Sequence, residues 1–175
     1  MPQKIGVIVI HGIGEQRSDF SQSLNDALMR RMQIHLSGDV DDPSDAVVIW
    51  PIHWAPVLQK SQDLLWERIS QDDRLAYGVL RRFFVNFMGD AAAYQPAPRD
   101  RRVYDAVHRL IATRLHQLAS IIGPTAPLCV IAHSLGTVVV SNYFYDLQHH
   151  QQPDNALIAQ EVLDEIGETP LERGE

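Results

Sequence analysis

The stretch Pro127–Gly136, PLCVIAHSLG, constrains the fold more than any other part of the chain. Leu128–Ala132 is a short, wholly apolar run that stops at His133-Ser134-Leu135-Gly136, and a second apolar segment, Thr137–Phe144, begins at once. A run of that length bounded by turn residues reads as a strand buried on both faces, hence as part of a parallel sheet covered by helices. When such a strand reverses into a helix with a serine at the bend, the hydroxyl stands clear of the sheet. The helix then starts beneath it, and its free N–H groups point at whatever the serine meets. Ala132 and Gly136, two residues before and two after Ser134, are small enough for backbones to approach closely there. The competing reading is a serine that does no more than N-cap the helix that follows.

A second bend of related character lies near the N-terminus. Lys4–Ile10 contains the β-branched run IGVIVI, of strand length, and leads straight into His11-Gly12-Ile13-Gly14-Glu15. Glycines at 12 and 14 let that loop turn a backbone N–H towards the first bend. A serine on a strand-to-helix turn, preceded in the chain by a strand ending in His-Gly, resembles the α/β-hydrolase superfamily. The string VIHGIGEQR is similar to that of a bacterial group of lipase- and esterase-like serine hydrolases, and the likeness runs from Ile5 to about Gly174. The usual elbow of that superfamily is G-x-S-x-G, and Ala132 replaces its first glycine here.

The resemblance implies a three-layer α/β/α fold, a partial α/β-hydrolase domain. Its parallel sheet would be built at least from residues 4–10, 46–50 and 127–132, in the spatial order second, first, third. It makes Ser134 the nucleophile. The oxyanion and substrate-binding loop would be His11, Gly12, Ile13 and Gly14, with the N–H of Ile13 (or of Gly14) and that of Leu135 as donors. A histidine at position 11 is expected to support the loop. Cofactors and metals are not called for, and the partner implied is a small-molecule or lipid-like ester.

The 175 residues suit a single domain, 1–175. The net charge of −7 argues against a nucleic-acid partner. Six of those seven charges come from Asp154–Glu175, which carries seven acids against Arg173, so the remainder is close to neutral. The lone Cys129 excludes an internal disulfide and is expected to act as a small apolar residue in its strand. With no signal peptide and no run of transmembrane length, the expected compartment is the cytoplasm.

Between the two bends, Asp19–Leu36 has helical spacing with Ser18 or Asp19 as cap, and Ala46–Trp50 reads as a strand closed by Pro51. A strand, Gly12-x-Gly14 and a helix could also open a dinucleotide-binding unit. That fingerprint needs a third small residue where Arg17 stands and an acid where the second strand ends in Trp50-Pro51. Residues 54 to about 98 read as a helical insertion, either a mobile lid or helices packed on the core. Trp50, His53, Trp54 and Trp66 read as packing residues. Arg101–Ile122 is a long helix with Val103, Val107, Leu110, Ile111, Leu115, Leu118 and Ile122 as its stripe, and His108 and His116 are expected at its surface.

A serine needs a histidine to take its proton and a carboxylate to orient that histidine. In the superfamily both follow the serine on loops after later strands, but only 41 residues follow Ser134. The elbow helix uses them to about Gln148, Gln151–Asp154 is a loop, and Ala156–Gly167 reads as another helix. His149 and His150 would lie about 20 Å along the elbow helix from Ser134, and His133 should point away from it by alternation. The triad acid and base are therefore expected to lie outside these residues. The chain is expected to be the N-terminal portion of a serine hydrolase, inactive alone, with the apolar edge of Leu128–Ala132 open to self-association or covered by the C-terminal helix. The alternative is a non-catalytic α/β-hydrolase-like module that binds a partner and keeps the elbow as architecture.

Overall fold

In the computed structural model, the described residues are 4–14, 16–36, 42–58, 94–95 and 101–148. Most of the insertion at 54–98, Trp66, His149, His150 and the expected 156–167 helix lie outside them.

Three parallel strands form the sheet: β1 (Ile5–Ile10), β2 (Val47–Ile52) and β3 (Leu128–Ala132), in the order β2-β1-β3. β1 pairs Ile5 with Val47 through Ile10 with Ile52 on one side, and Gly6 with Leu128 through Ile10 with Ala132 on the other. The carboxyl ends of β1 and β3 are therefore level, and the two bends that follow them emerge side by side.

Alternation along β1 divides the core. Ile8 and Ile10, with Ile52, face α2 (Arg102–Ile122) and α3 (Leu135–Gln148), while Val7, Val9 and Val47 meet Phe20 and Met32 of the α1 region (helix Gln22–His35). The result is α/β/α layering on a parallel sheet, as the apolar runs predict. Along α2, Val107, Ile111, Leu115 and Leu118 are buried, and each such side chain contributes about 1.5–3 kcal/mol by leaving water. Gly123, at φ +97°, ends the helix.

Several expectations are corrected. β2 runs through Pro51 to Ile52 instead of closing at Trp50. The Ile5 N–H donates to the Ala46 carbonyl, and alternation from there turns the Pro51 nitrogen to the outer side, where β2 has no neighbour among the described residues. A proline on that side costs no ladder bond. α1 begins at Gln22, not at Asp19. The Asp19 carboxylate is taken by Arg17 at 3.1 Å, and residues 17–20 form a tight turn instead.

Cys129 is exposed, not buried. β3 is an edge strand among the described residues, and Ile131, but not Cys129, packs against the Val7, Val9 and Val47 cluster. His108 is fully buried, whereas the surface assignment holds for His116. The buried stripe of α2 is centred on Tyr104, Val107, His108, Ile111 and Leu115, so it is rotated from the one drawn through aliphatic residues alone.

Candidate functional site: the bends after β1 and β3

Ser134 occupies the turn between β3 and α3 and is exposed. Its φ is +52°, and it is the one non-glycine residue with positive φ among the described residues. That conformation costs an L-residue other than Gly, Asn or Asp roughly 1–2 kcal/mol. The turn is held by the Gly136 N–H donating to the His133 carbonyl and the Thr137 N–H donating to the Ser134 carbonyl, which also accepts from Thr137 Oγ1 at 2.6 Å. An N-cap would instead have extended φ/ψ and a side-chain oxygen accepting from one of those N–H groups. Both N–H groups have carbonyl partners, and Ser134 Oγ makes no hydrogen bond among the described residues. The hydroxyl is therefore not used to cap the helix.

The two bends touch. A Cβ on Gly12 would stand 2.8 Å from Ser134 Cβ and 3.0 Å from the His133 carbonyl. A Cβ on Gly136 would overlap the carbonyl oxygen of His11 and lie 2.5 Å from Ile10 Cγ2. The close approach that Gly136 permits is thus to the end of β1, not to β3 as the local pattern suggests. Gly12 and Gly14 do different work: Gly12 admits Ser134, while Gly14 supplies a turn at φ +95°. The N–H groups of Ile13 and Leu135 have no acceptor among the described residues.

His11 fixes the first bend. Its ring is buried, Nδ1–H donates to the Gly12 carbonyl at 2.7 Å, and Nε2 accepts from the backbone N–H of Trp54 at 3.0 Å and of Ala55 at 3.2 Å. The partners fix the tautomer, because a carbonyl can only accept and two amides can only donate. The ring stacks on Trp54 at 5.1 Å, and Trp54 Nε1–H donates to the His11 carbonyl at 3.0 Å. His53 Nε2–H donates to the Gln16 carbonyl at 2.6 Å, so residues 53–55 clamp the loop at both ends. Burial chiefly, opposed by the Gly12 bond and aided by His53, lowers the His11 pKa from 6.5 to about 4. A neutral imidazole with both nitrogens engaged is a support, not a base.

Beside Gly12 an open cleft of about 220 Å³ lies on the α1 side of the sheet, lined by Val9, Ile10, His11, Gly12, Gln16, Phe20, Ser21, Leu24, Ile131 and His133. The His133 ring lies on that side, with Nδ1 3.1 Å from where a Gly12 Cβ would be. Among the described residues there is no imidazole hydrogen-bonded to Ser134, and no group of three or more His, Cys, Asp or Glu that could hold a metal. No helix among them is long and apolar enough to cross a membrane.

On the other face of the sheet, sequence reasoning missed a buried polar cluster. Tyr94 Oη and His108 Nε2 share a hydrogen bond at 3.0 Å, Asn142 Nδ2 donates to Tyr94 Oη at 3.3 Å, and Tyr104 Oη donates to Asp146 Oδ2 at 3.2 Å. His108 and Asp146 are fully buried. Burial first, then Arg101, brings the His108 pKa down to about 3, and burial raises those of Tyr94 and Tyr104. The available signal was the position of His108 one turn after Tyr104, which aligns it with the buried face of α2. This cluster fastens α3, and hence the turn at Ser134, to α2.

Comparison with protein-family models, with curated proteins and with solved structures gave no match to this chain.

Proposed function

We propose that the touching bends form the nucleophile and oxyanion site of an α/β-hydrolase-type serine esterase, with Ser134 as nucleophile. The observation that carries the reading is the φ of +52° at an exposed serine whose hydroxyl caps nothing. Strain of that kind is retained where the side chain has a use. Gly12 packed on Ser134, and Gly136 packed on the end of β1, support it by bringing the loop of Ile13 up against the helix start at Leu135.

In the reaction, Ser134 Oγ forms a bond to the ester carbonyl carbon, and the proton it loses passes to a general base. The carbonyl oxygen takes up negative charge and is met by the N–H groups of Ile13 and Leu135. One such donor is typically worth about 10²–10³ in rate. The carbon–oxygen bond to the alcohol breaks, the alcohol leaves with the proton, and water hydrolyses the acyl-serine by the reverse sequence. His11 contributes by holding the loop, not by moving a proton. No described residue is assigned as the base.

The test is labelling of the natively expressed protein by a fluorophosphonate, with the adduct mapped by mass spectrometry. A single adduct at Ser134, absent from Ser134→Ala, is expected. Absence of labelling, in a lysate where other serine hydrolases react, refutes catalysis and favours the non-catalytic binding module.

A further inference from the structure

From the unpaired edge of β3 we infer that this strand joins a second copy of the chain, antiparallel about a two-fold axis at Val130, to make one continuous sheet. The inference does not depend on the reading of Ser134. No residue of β3 is buried, although the strand is wholly apolar, whereas every residue of β1 after Ile5 is buried. The Gly6 N–H donates to the Pro127 carbonyl, and the His133 N–H donates to the Ile10 carbonyl. Backbone groups alternate sides along a strand, so Leu128, Val130 and Ala132 turn theirs away from β1. Those outward groups have no hydrogen-bond partner among the described residues. The two edges of the sheet differ. Pro51 removes a donor from the outer side of β2, and a proline or a charge is how an edge is kept from pairing. β3 has neither.

Charge and symmetry name the occupant. A chain of net charge −7 repels its own copies, so they can meet only where charge is missing. Between Gly123 and Gln148 the one Asp, Glu, Lys or Arg is Asp146, and it is fully buried. None of the residues exposed on α3 is charged. The chain's own Asp154–Glu175, with seven acids, is a poor match for such a surface. A head-to-tail joint would need a second, different edge, and Pro51 withholds it; a two-fold axis needs β3 alone and closes at two copies. In an antiparallel ladder, residues that turn both backbone groups to the neighbour form pairs with two bonds each. An axis at Val130 sets Val130 opposite its own copy and Leu128 opposite Ala132 of the second copy, so every outward group of β3 is used. The same operation keeps both α3 helices on one side of the joined sheet.

The test begins with the mass of the natively expressed protein, measured by light scattering over a dilution series. Twice the mass of one chain is expected. Val130→Pro removes both bonds of the central pair and should raise the dissociation constant about 10-fold or more. In the dimer Cys129 lies diagonally across from its own copy, at roughly 7–8 Å between Cβ atoms. That is too far for a disulfide, but a short bismaleimide should link the two chains. In the double variant Cys129→Ser, Val130→Cys the thiols face each other at about 5.5 Å between Cα atoms, so a disulfide-linked dimer should form in air. This readout holds whether or not the proline variant folds. A monomer at every concentration overturns the pairing, and a monomer whose Cys129 is shielded from maleimide points to the chain's own residues as the cover. A dimer that gives neither link uses another surface and overturns it as well. So does an unchanged dissociation constant in a folded Val130→Pro.

Discussion

Acidification should unfasten this fold through its two buried histidines, and His11 is the clearer case. Its folded pKa is about 4 against 6.5 when exposed. The folded state therefore binds fewer protons than the unfolded chain between those values, and stability falls as pH falls. The contribution is fully present above pH 6.5, is lost progressively through that window, and levels off below about pH 4. Linkage gives a loss of about 2 kcal/mol between pH 7 and pH 5 for His11. His108, with a folded pKa of about 3, gives about 2 kcal/mol more over the same interval. Geometry supplies the reason at His11: protonated Nε2 would face the Trp54 and Ala55 N–H groups that it now accepts from. Urea unfolding monitored by tryptophan fluorescence at pH 7, 6 and 5 reads the slope. His11→Gln should be less stable at pH 7, because the buried Trp54 amide loses its acceptor at about 1–3 kcal/mol and the half-buried Ala55 amide loses the same one. Its stability should also fall only about half as steeply with pH. Parallel pH profiles for His11→Gln and the wild type, or an imidazole titration for His11 centred near pH 6.5, would refute the assignment.

Two further outcomes follow from the bends themselves. Gly136→Ala places a Cβ against the His11 carbonyl and Ile10 Cγ2, so overpacking should cost about 1–3 kcal/mol and lower the urea midpoint; a change within about 0.5 kcal/mol of wild type would mean that the bends do not touch. Ser134→Gly should stabilise the fold by up to about 1 kcal/mol by relieving the backbone at φ +52°, whereas Ser134→Ala should not; a Ser134→Gly variant less stable than Ser134→Ala contradicts the strained turn.

The sheet was legible because its strands are apolar runs too short for helices and bounded by glycine, proline or histidine. Ser134 was legible for the same reason, since LCVIA and TVVV leave one place to turn. The strands' spatial order, second, first, third, was expected from the family resemblance and not from the apolar runs themselves. What could not be seen was tertiary. His11 is held by Trp54 and Ala55, more than 40 positions away, and nothing in the pattern around His11 names them. Gly136 looked like a local requirement, yet its neighbour is β1. His108 and Asp146 look like surface residues because ionisable side chains are seldom fully buried. Tyr94, Asn142 and Tyr104 supply the hydrogen bonds that make burial tolerable here.

These features share one direction. A glycine at 134 would make the β3–α3 turn without strain, and an extended serine would cap α3, so neither turn formation nor capping accounts for a serine at φ +52°. The surroundings, by contrast, are fixed from several sides. His11 is engaged at both ring nitrogens and its carbonyl, His53 ties Gln16, and Tyr94 and Asp146 tie α3 to α2. Strain survives where neighbouring structure over-determines the backbone. On the proposed reading, a serine held off its preferred conformation by this frame, with its hydroxyl making no hydrogen bond among the described residues, is set to meet a substrate from solvent. The proposed chemistry at position 134 would give that strain a use.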